Sequence, residues 1–236
     1  MSHSCEQEHH ECSPPPPETN ASQSLYDFID TAKTVCLNCV GKGNSGTVAE
    51  CLLKSQEQKF NVSSYIESDA DCQVLVHIPF TSNCRIFSVI IRCNQAEDDL
   101  LGSPKTIKLY KNFRKNIDFD TVKDMKPTHH FENPQNVGLA DPGSEEYIQD
   151  ESSFVEHHLP RRHFQNCHSL TLLIDDNWAA DEDLLTRCYY LELRGECSGN
   201  LPAGDGIPLM AVYEAAPSPL DHKKLESEQE TTNLGM

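Results

Sequence analysis

Residues 73–80 read Q-V-L-V-H-I-P-F, with an apolar side chain at nearly every second position. Successive side chains of a strand point to opposite faces, so Val74, Val76, Ile78 and Phe80 share one face. Later segments alternate in the same way and predict further sets of core residues: Phe87, Val89 and Ile91; Ile107 and Leu109; Leu170, Leu172 and Ile174; and Tyr189, Leu191 and Leu193. A period of two with one wetter face is typical of an antiparallel sheet buried on one side.

These strands follow one another without helical patterns between them, which disfavours a parallel βαβ fold. We therefore predict an all-β protein, an antiparallel jelly-roll β-sandwich of about eight strands. In the last segment Glu192 and Arg194 would face outward.

One short helix is expected at the start of the domain. Leu25, Phe28, Ile29 and Ala32 are spaced i, i+3, i+4, i+7, and Ser24 is available as an N-cap.

Two polar tails flank the predicted domain. Residues 1–23 are rich in His, Cys and Pro, include four consecutive prolines and predict a disordered tail. Residues 24–216 form the folded domain, and residues 217–236 are a second polar, disordered tail. Within the domain, residues 133–162 are rich in Pro, Gly and charge and predict an excursion at the sandwich edge, with a short extended run at residues 147–150.

The charge balance restricts the class of partner. The chain has 236 residues, with 37 acidic against 19 basic side chains and a net charge of -18. Such a charge argues against nucleic acid or an anionic membrane as the main partner and favours a protein with a basic surface.

The first residues contain no apolar signal region, and no apolar run approaches the ~18 residues of a membrane helix. We expect a protein of the cytoplasm, the nucleus or both. In these compartments the eleven cysteines are expected to be reduced thiols.

Cys36 and Cys39 form a Cys-x-x-Cys pair. A redox pair places its first cysteine at a helix N-terminus, but the glycine-rich G-K-G-N-S-G follows this one. A structural zinc site needs a second pair of ligands, and the chain has no second Cys-x-x-Cys. We interpret Cys36 as a small core residue and Cys39 as incidental.

A second group of possible metal ligands lies in the N-terminal tail and comprises His3, Cys5, His9, His10 and Cys12. Imidazole and thiolate bind zinc or nickel readily, so metal handling is one alternative function. Nothing apolar surrounds these residues, and a solvated tail without a metal is the preferred interpretation. No cofactor is predicted.

Two acidic segments are candidate binding loops. Glu67, Asp69 and Asp71 precede a strand but do not fit an EF-hand, so turn formation is favoured. Trp178, the only tryptophan, lies in an acidic loop and would either anchor a partner or cap the core. No acid–base dyad or activated nucleophile can be assembled from the sequence, so we predict a non-enzyme.

Several blocks in the same order resemble the PITH domain, the proteasome-interacting domain found at the C-terminus of thioredoxin-like proteins. They are Y-I-E-S-D-A-D-C-Q-V-L-V-H-I-P-F, S-P-K-T-I-K-L-Y-K-N, N-I-D-F-D, K-P-T-H-H-F, H-S-L-T-L-L-I-D and Y-Y-L-E-L-R-G-E. Together they span roughly residues 24 to 222. The chain is similar to the stand-alone members, which lack a thioredoxin domain.

The resemblance implies a galactose-binding-like jelly roll and association with the proteasome regulatory particle or another large assembly. It supplies no catalytic residues. The matching positions and the lone tryptophan define candidate partner-binding residues: Glu67, Asp69, Asp71, Lys111, Asn112 and Trp178. The rival hypothesis is a small-ligand or carbohydrate-type binder at the loop end of the jelly roll.

Overall fold

The chain forms an antiparallel β-sandwich in the computed structural model, which describes residues 18–43, 46–95, 101–140 and 142–200. In this part the strands are β1 (Val35–Leu37), β2 (Cys39–Lys42), β3 (Tyr65–Ser68), β4 (Val74–Cys93), β5 (Thr106–Lys111), β6 (His129–Glu132), β7 (Val155–His158), β8 (Cys167–Ile174) and β9 (Arg187–Asn200). The helices are α1 (Val48–Leu52) and α2 (Phe119–Lys123).

Strand β4 belongs to both layers of the sandwich. Its first half pairs with β1 and β8, and β5 and β6 extend this first sheet. Its second half pairs with β7 and β9, and β3 and β2 extend the second sheet. The pairing with β8 is irregular between Pro79 and Cys84. A bulge bends a strand, so one long strand can serve two facing sheets.

The main core lies between the two sheets. Val74, Val76, Ile78 and Phe80 of β4 are buried in it, as their spacing predicts. The sets from β5 and β8 are confirmed as well, and the core residues of these two strands are Ile107, Leu109, Leu170, Leu172 and Ile174. The predicted all-β jelly-roll class is therefore confirmed.

A bulge overturns one predicted face of β4. The sequence placed Phe87 in the core with Val89 and Ile91, but Ile86 takes that position. The register with β9 shifts between Ile86 and Ser88, which moves Phe87 to the outer face. On that face the guanidinium of Arg161 lies 4.1 Å from the centroid of the Phe87 ring.

A second irregularity changes the faces of β9. Cys188, not the predicted Tyr189, joins Leu191 and Leu193 in the main core, because the pairing with β4 shifts near Cys93. Tyr189 is buried in a separate cluster. Glu192 lies on the outer face as predicted, yet it is only 5% exposed because other segments cover it.

The predicted N-terminal helix is replaced by three 3₁₀ turns: Ala21–Gln23, Tyr26–Phe28 and Thr31–Lys33. The backbone of this segment is tied to the sheets, since Leu25 N–H donates to the carbonyl of Leu193 and Asp30 N–H to that of Pro79. These bonds interrupt the helical ladder, while Leu25 still enters the core as its apolar character requires.

The segment from Asn133 to Arg162 contributes an edge strand. The run at residues 147–150 makes one bridge, between Tyr147 and Asn61, and β7 follows it and pairs with β4. No helix in the described ranges is long and apolar enough to cross a membrane. The two predicted tails, residues 1–23 and 217–236, fall largely outside the described residues.

Candidate functional site

Two acidic segments meet at one end of the sandwich. The N–H of Cys72 donates to the carbonyl of Glu182 at 3.0 Å, and the hydroxyl of Thr186 donates to the carbonyl of Cys72 at 2.8 Å. These bonds fix the turn before β4 against the loop between β8 and β9. We call the resulting surface the acidic end, and its residues are Asp69, Asp71, Asp176, Asp181, Glu182 and Asp183.

Within the described residues, no lysine or arginine forms an ion pair with the carboxylates of the acidic end. Asp69, Glu182 and Asp183 are exposed, and no ion pair in the described part of the chain involves them. Burial, and then the charges of Asp71 and Glu182, raise the pKa of the Cys72 thiol to about 11. The acidic end therefore presents a negative potential to solvent.

Two acidic residues beside this surface have structural ion pairs. Glu67 accepts from the guanidinium of Arg187 at 2.8 Å, and Asp175 accepts from Lys108 at 2.5 Å. Both pairs connect neighbouring strands, so these carboxylates are occupied within the protein. Asp71 holds the predicted turn, because its Oδ1 accepts from the backbone N–H of Gln73 at 2.8 Å.

Trp178 lies next to the acidic end and caps the sandwich edge. Its indole N–H donates to the carbonyl of Asn133 at 2.9 Å, and the ammonium of Lys105 lies 4.9 Å from a ring centroid. The side chain is half-buried. Its polar group is thus already satisfied, and the exposed part of the ring is what remains for a partner.

Lys111 and Asn112 do not join the other candidates. They lie at the far end of β5, where Lys111 Nζ donates to the carbonyl of Gln165 and Asn112 Nδ2 donates to that of Asn166. The opposite end of β5, at Thr106, contacts Asp176. The six candidate partner-binding residues are therefore divided between two ends of the sandwich.

Sequence reasoning missed a polar cavity of about 210 Å³ on the outer face of the second sheet. We call it the outer-sheet pocket, and it is lined by Lys59, Ile90, Glu151, Phe154, Glu156, Tyr190, Glu192 and Arg194. The signal available was the outward alternation of Glu192 and Arg194 on β9. The remaining lining residues come from segments distant in sequence, which no local pattern brings together.

The charged groups of this pocket are engaged with one another. Glu192 Oε1 accepts from Arg194 Nε at 3.0 Å and from the side-chain amide of Gln56, and Glu192 Oε2 accepts from the hydroxyl of Tyr190 at 3.1 Å. Lys59 pairs with Glu151 at 2.7 Å. Burial and the charge of Glu192 raise the pKa of Tyr190. The pocket is smaller than the ~300 Å³ of typical ligand clefts, so it suits a small polar group.

Cys36 and Cys39 contact each other through a side-chain hydrogen bond. The residues flank a turn at Asn38, which has a φ of 54°, and both pack against the core. A hydrogen bond from the Cys39 thiol lowers the pKa of Cys36 and raises that of Cys39. Cys36 lies in β1 and Cys39 begins β2, so no helix directly follows the pair, as the glycines predict.

No group of three or more His, Cys, Asp or Glu side chains in the described ranges is arranged to hold a metal ion. The N-terminal cluster of His3, Cys5, His9, His10 and Cys12 lies outside the described residues.

Two facing antiparallel sheets that share β4 define a jelly-roll β-sandwich. The family model of the PITH domain matches residues 15–217, and the chain belongs to this family. Its relatives are of similar length: a PITH domain-containing protein of Drosophila pseudoobscura pseudoobscura is 33% identical over 87% of this chain and 83% of its own length. The human PITH domain-containing protein 1 is 29% identical over 89% and 85%.

Solved structures with a similar fold are distant in sequence. The C-terminal domain of a chitobiase from Bacteroides fragilis matches with a TM-score of 0.44 and 9% identity, over 73% of this chain and 100% of its own. A CBM32 module from a family 31 glycoside hydrolase of Clostridium perfringens matches with a TM-score of 0.37 and 8% identity, over 72% and 96%. Neither likeness bears on function.

Proposed function

We propose that this protein is a non-catalytic interaction module that associates with the regulatory particle of the proteasome. Membership of the PITH domain family supports this assignment. The observation that carries the choice of surface is the row of exposed, unneutralised carboxylates at the acidic end. It favours a partner whose docking face is basic.

The acidic end would act mainly by steering and orienting the partner. Exposed charges of one sign raise association rates and exclude partners of the same sign, and their effect decreases with salt. The exposed part of the Trp178 ring lies beside them and would add buried apolar area. The association would take place in the cytoplasm, the nucleus or both.

A pull-down of the full-length protein from lysate, with detection of proteasome subunits, tests the proposal. We expect capture at low salt and weaker capture as the ionic strength rises. Absence of proteasome subunits from the wild-type eluate at low salt would contradict the proposal.

A charge-reversal triple variant locates the surface: Asp69→Lys, Glu182→Lys and Asp183→Lys. The matched control reverses three other exposed acidic residues and changes the net charge equally: Glu57→Lys, Glu145→Lys and Glu146→Lys. We expect the first set to reduce capture and the second to retain it. Equal loss in both sets would mean that net charge, and not the acidic end, is responsible.

Trp178 is tested in the same assay. Trp178→Phe keeps an aromatic ring but loses the hydrogen bond to Asn133, and Trp178→Ala loses both. If the ring contributes buried area, only the alanine variant reduces capture. If both variants capture as much proteasome as the wild type, Trp178 serves only the sandwich edge.

The outer-sheet pocket supports a second candidate function, the binding of a small polar ligand. Titration with a panel of monosaccharides and amino acids, followed by protein NMR, would detect shifts at Tyr190 and Phe154. The Glu192→Gln variant should remove those shifts. Metal handling by the N-terminal cluster stays a prediction, and deletion of residues 1–23 separates it from proteasome capture.

A further inference from the structure

Cysteine thiols of β4 and β9 are paired across the strands. The Sγ atoms of Cys84 and Cys197 are 2.9 Å apart, and those of Cys93 and Cys188 are 3.3 Å apart. Both pairs are directly opposed in the antiparallel register. Opposed residues have Cα atoms about 4.5–5.5 Å apart, which is within the range that a disulfide requires.

The two pairs differ in access to solvent. Cys93 and Cys188 are 2% and 3% exposed within the main core. Cys84 is fully buried, but Cys197 near the end of β9 is only partly buried. Of these four cysteines, Cys197 is therefore the one most accessible to a dissolved oxidant.

The order of reaction within the accessible pair follows from its surroundings. Burial, and then contact with Cys197, raise the pKa of Cys84 far above its ordinary range. Burial also raises the pKa of Cys197, but the hydrogen bond from Cys84 opposes that effect. Cys197 is thus the first of the two to ionise and the one that meets the oxidant.

We propose that Cys84 and Cys197 form an oxidisable dithiol, a modification site for hydrogen peroxide. The Cys197 thiolate attacks one peroxide oxygen, the O–O bond breaks, and the departing hydroxide takes a proton to form water. The sulfenic acid on Cys197 is then attacked by the Cys84 sulfur, the S–O bond breaks, and a second water leaves. Two thiols lose two electrons and one peroxide becomes two waters.

The product joins β4 to β9 at the bend where β4 passes between the sheets. A bond between positions so far apart in sequence restricts the unfolded chain strongly, so the oxidised protein should be the more stable form. A bond between Cys36 and Cys39 would enclose only the two residues between them and would not connect the sheets.

Peptide mapping of the full-length protein tests the site. Reduced protein is treated with increasing hydrogen peroxide, free thiols are blocked with N-ethylmaleimide, and tryptic peptides are analysed without reduction. Trypsin separates Cys84, Cys93, Cys188 and Cys197, because an arginine lies between each pair of neighbours in sequence. We expect the Cys84–Cys197 link at peroxide concentrations that leave Cys93 and Cys188 free.

The same experiment contains its controls. Cys188→Ala should leave the Cys84–Cys197 link intact, whereas Cys197→Ser should leave Cys84 unlinked. A link from Cys84 to Cys167, its opposite neighbour on β8, would overturn the assignment. So would a Cys84–Cys197 link that appears only after unfolding in urea, because the proposal depends on the folded geometry.

The thermal unfolding midpoint gives an independent readout. The peroxide-treated protein should unfold at a higher temperature than the reduced protein, and dithiothreitol should reverse the shift. The same shift in Cys197→Ser would overturn the proposal, since that variant cannot form the link.

Discussion

The ammonium of Lys54 donates a hydrogen bond to the backbone carbonyl of Tyr189 at 2.7 Å, which joins the end of α1 to β9. It also donates to the carbonyls of Asn61, at 2.8 Å, and Ser64. The residue is only 4% exposed. Burial lowers the pKa of Lys54 to about 8, and the nearby charge of Arg92 acts in the same direction. A single buried cation thus binds three backbone carbonyls from two separate segments of the chain.

Replacing Lys54 with methionine tests this arrangement. The carbonyls would lose their shared donor inside the protein, and we expect a loss of about 2–4 kcal/mol in the free energy of unfolding. Lys59→Met is the control, since Lys59 pairs with the largely exposed Glu151 and should cost less than about 1 kcal/mol. Urea denaturation measures both. Equal losses would show that the three carbonyls do not depend on Lys54.

The same lysine should give the protein a measurable pH dependence. Its pKa is about 8 in the folded state and near the ordinary 10.5 in the unfolded state. Between these values the unfolded chain binds more protons, so the stability contributed by Lys54 rises with pH. The stability difference between wild type and Lys54→Met should widen by about 1–2 kcal/mol from pH 7.5 to pH 9.5.

Cysteines also titrate in this pH range. Their contribution to the pH dependence of stability is the same in wild type and Lys54→Met, so it cancels in the difference. Urea titrations at the two pH values provide the measurement. A difference that stays constant or narrows would contradict a lowered pKa of Lys54.

Gly195 has no room for a side chain. A Cβ at this position would lie 1.9 Å from the carbonyl oxygen of Arg85 and 3.2 Å from the Cα of Ile86. Both atoms belong to the backbone of β4, so Gly195→Ala should cost at least about 4 kcal/mol or prevent folding. At Gly46 the nearest atom is the mobile carboxylate of Glu50, and Gly46→Ala should cost less than about 1 kcal/mol. Circular dichroism and urea denaturation would show whether the two variants differ.

His157 should make the protein sensitive to acid. Its ring stacks on Phe131 with 3.8 Å between centroids, and its Nε2 lies 3.1 Å from Asn133 Oδ1. Burial lowers the pKa of His157 to about 4 from an ordinary 6.5. Since the unfolded state binds more protons between these values, stability falls as the pH drops from 6.5 towards 4.

We expect this residue to account for about 1–2 kcal/mol of the stability lost between pH 7 and pH 5. His157→Phe retains the stacking but cannot titrate, so its stability should fall less over that range. His130→Phe, at an exposed neighbouring position, is the control. If all three proteins lose equal stability, the acid sensitivity arises elsewhere.

Asn112 combines an unusual backbone conformation with a side chain that joins two strands. Its φ is 53°, its Oδ1 accepts from His168 N–H at 2.8 Å, and its Nδ2 donates to the carbonyl of Asn166 at 2.9 Å. Asn112→Gly keeps the backbone conformation and loses the bonds, so we expect a loss of about 1–2 kcal/mol. Asn112→Ala adds backbone strain and should cost about 1 kcal/mol more. Thermal unfolding of the two variants separates these contributions, and equal losses would show that the backbone is unstrained.

Local alternation predicted the fold class and most of the core. Alternate residues from Val74 to Phe80 and from Leu170 to Ile174 face the main core, as their spacing predicts. In a regular strand, successive side chains must point to opposite faces. The same alternation assigns Phe87 and Tyr189 to the main core, and this prediction is wrong for both residues. Each lies at a register shift of β4 with β9, and a shift depends on the partner strand, which local sequence does not contain.

The candidate site was predictable in part. The sequence indicated that Asp69, Asp71 and Trp178 lie in polar loops, and the structure places these loops together. It could not indicate that Lys111 and Asn112 lie at the other end of β5. The outer-sheet pocket was missed because its lining residues come from four separate segments.

The sequence by itself determined the two-residue period of the strands, the strongly acidic charge and the resemblance to the PITH family. These are local or additive properties of the sequence, so they do not depend on how the chain folds. Tertiary structure alone decided that Cys84 meets Cys197, that Lys54 is buried among three carbonyls, and that Glu192 is covered. Such contacts depend on strand register and on which face each layer covers, and both are fixed only when the two sheets pack together.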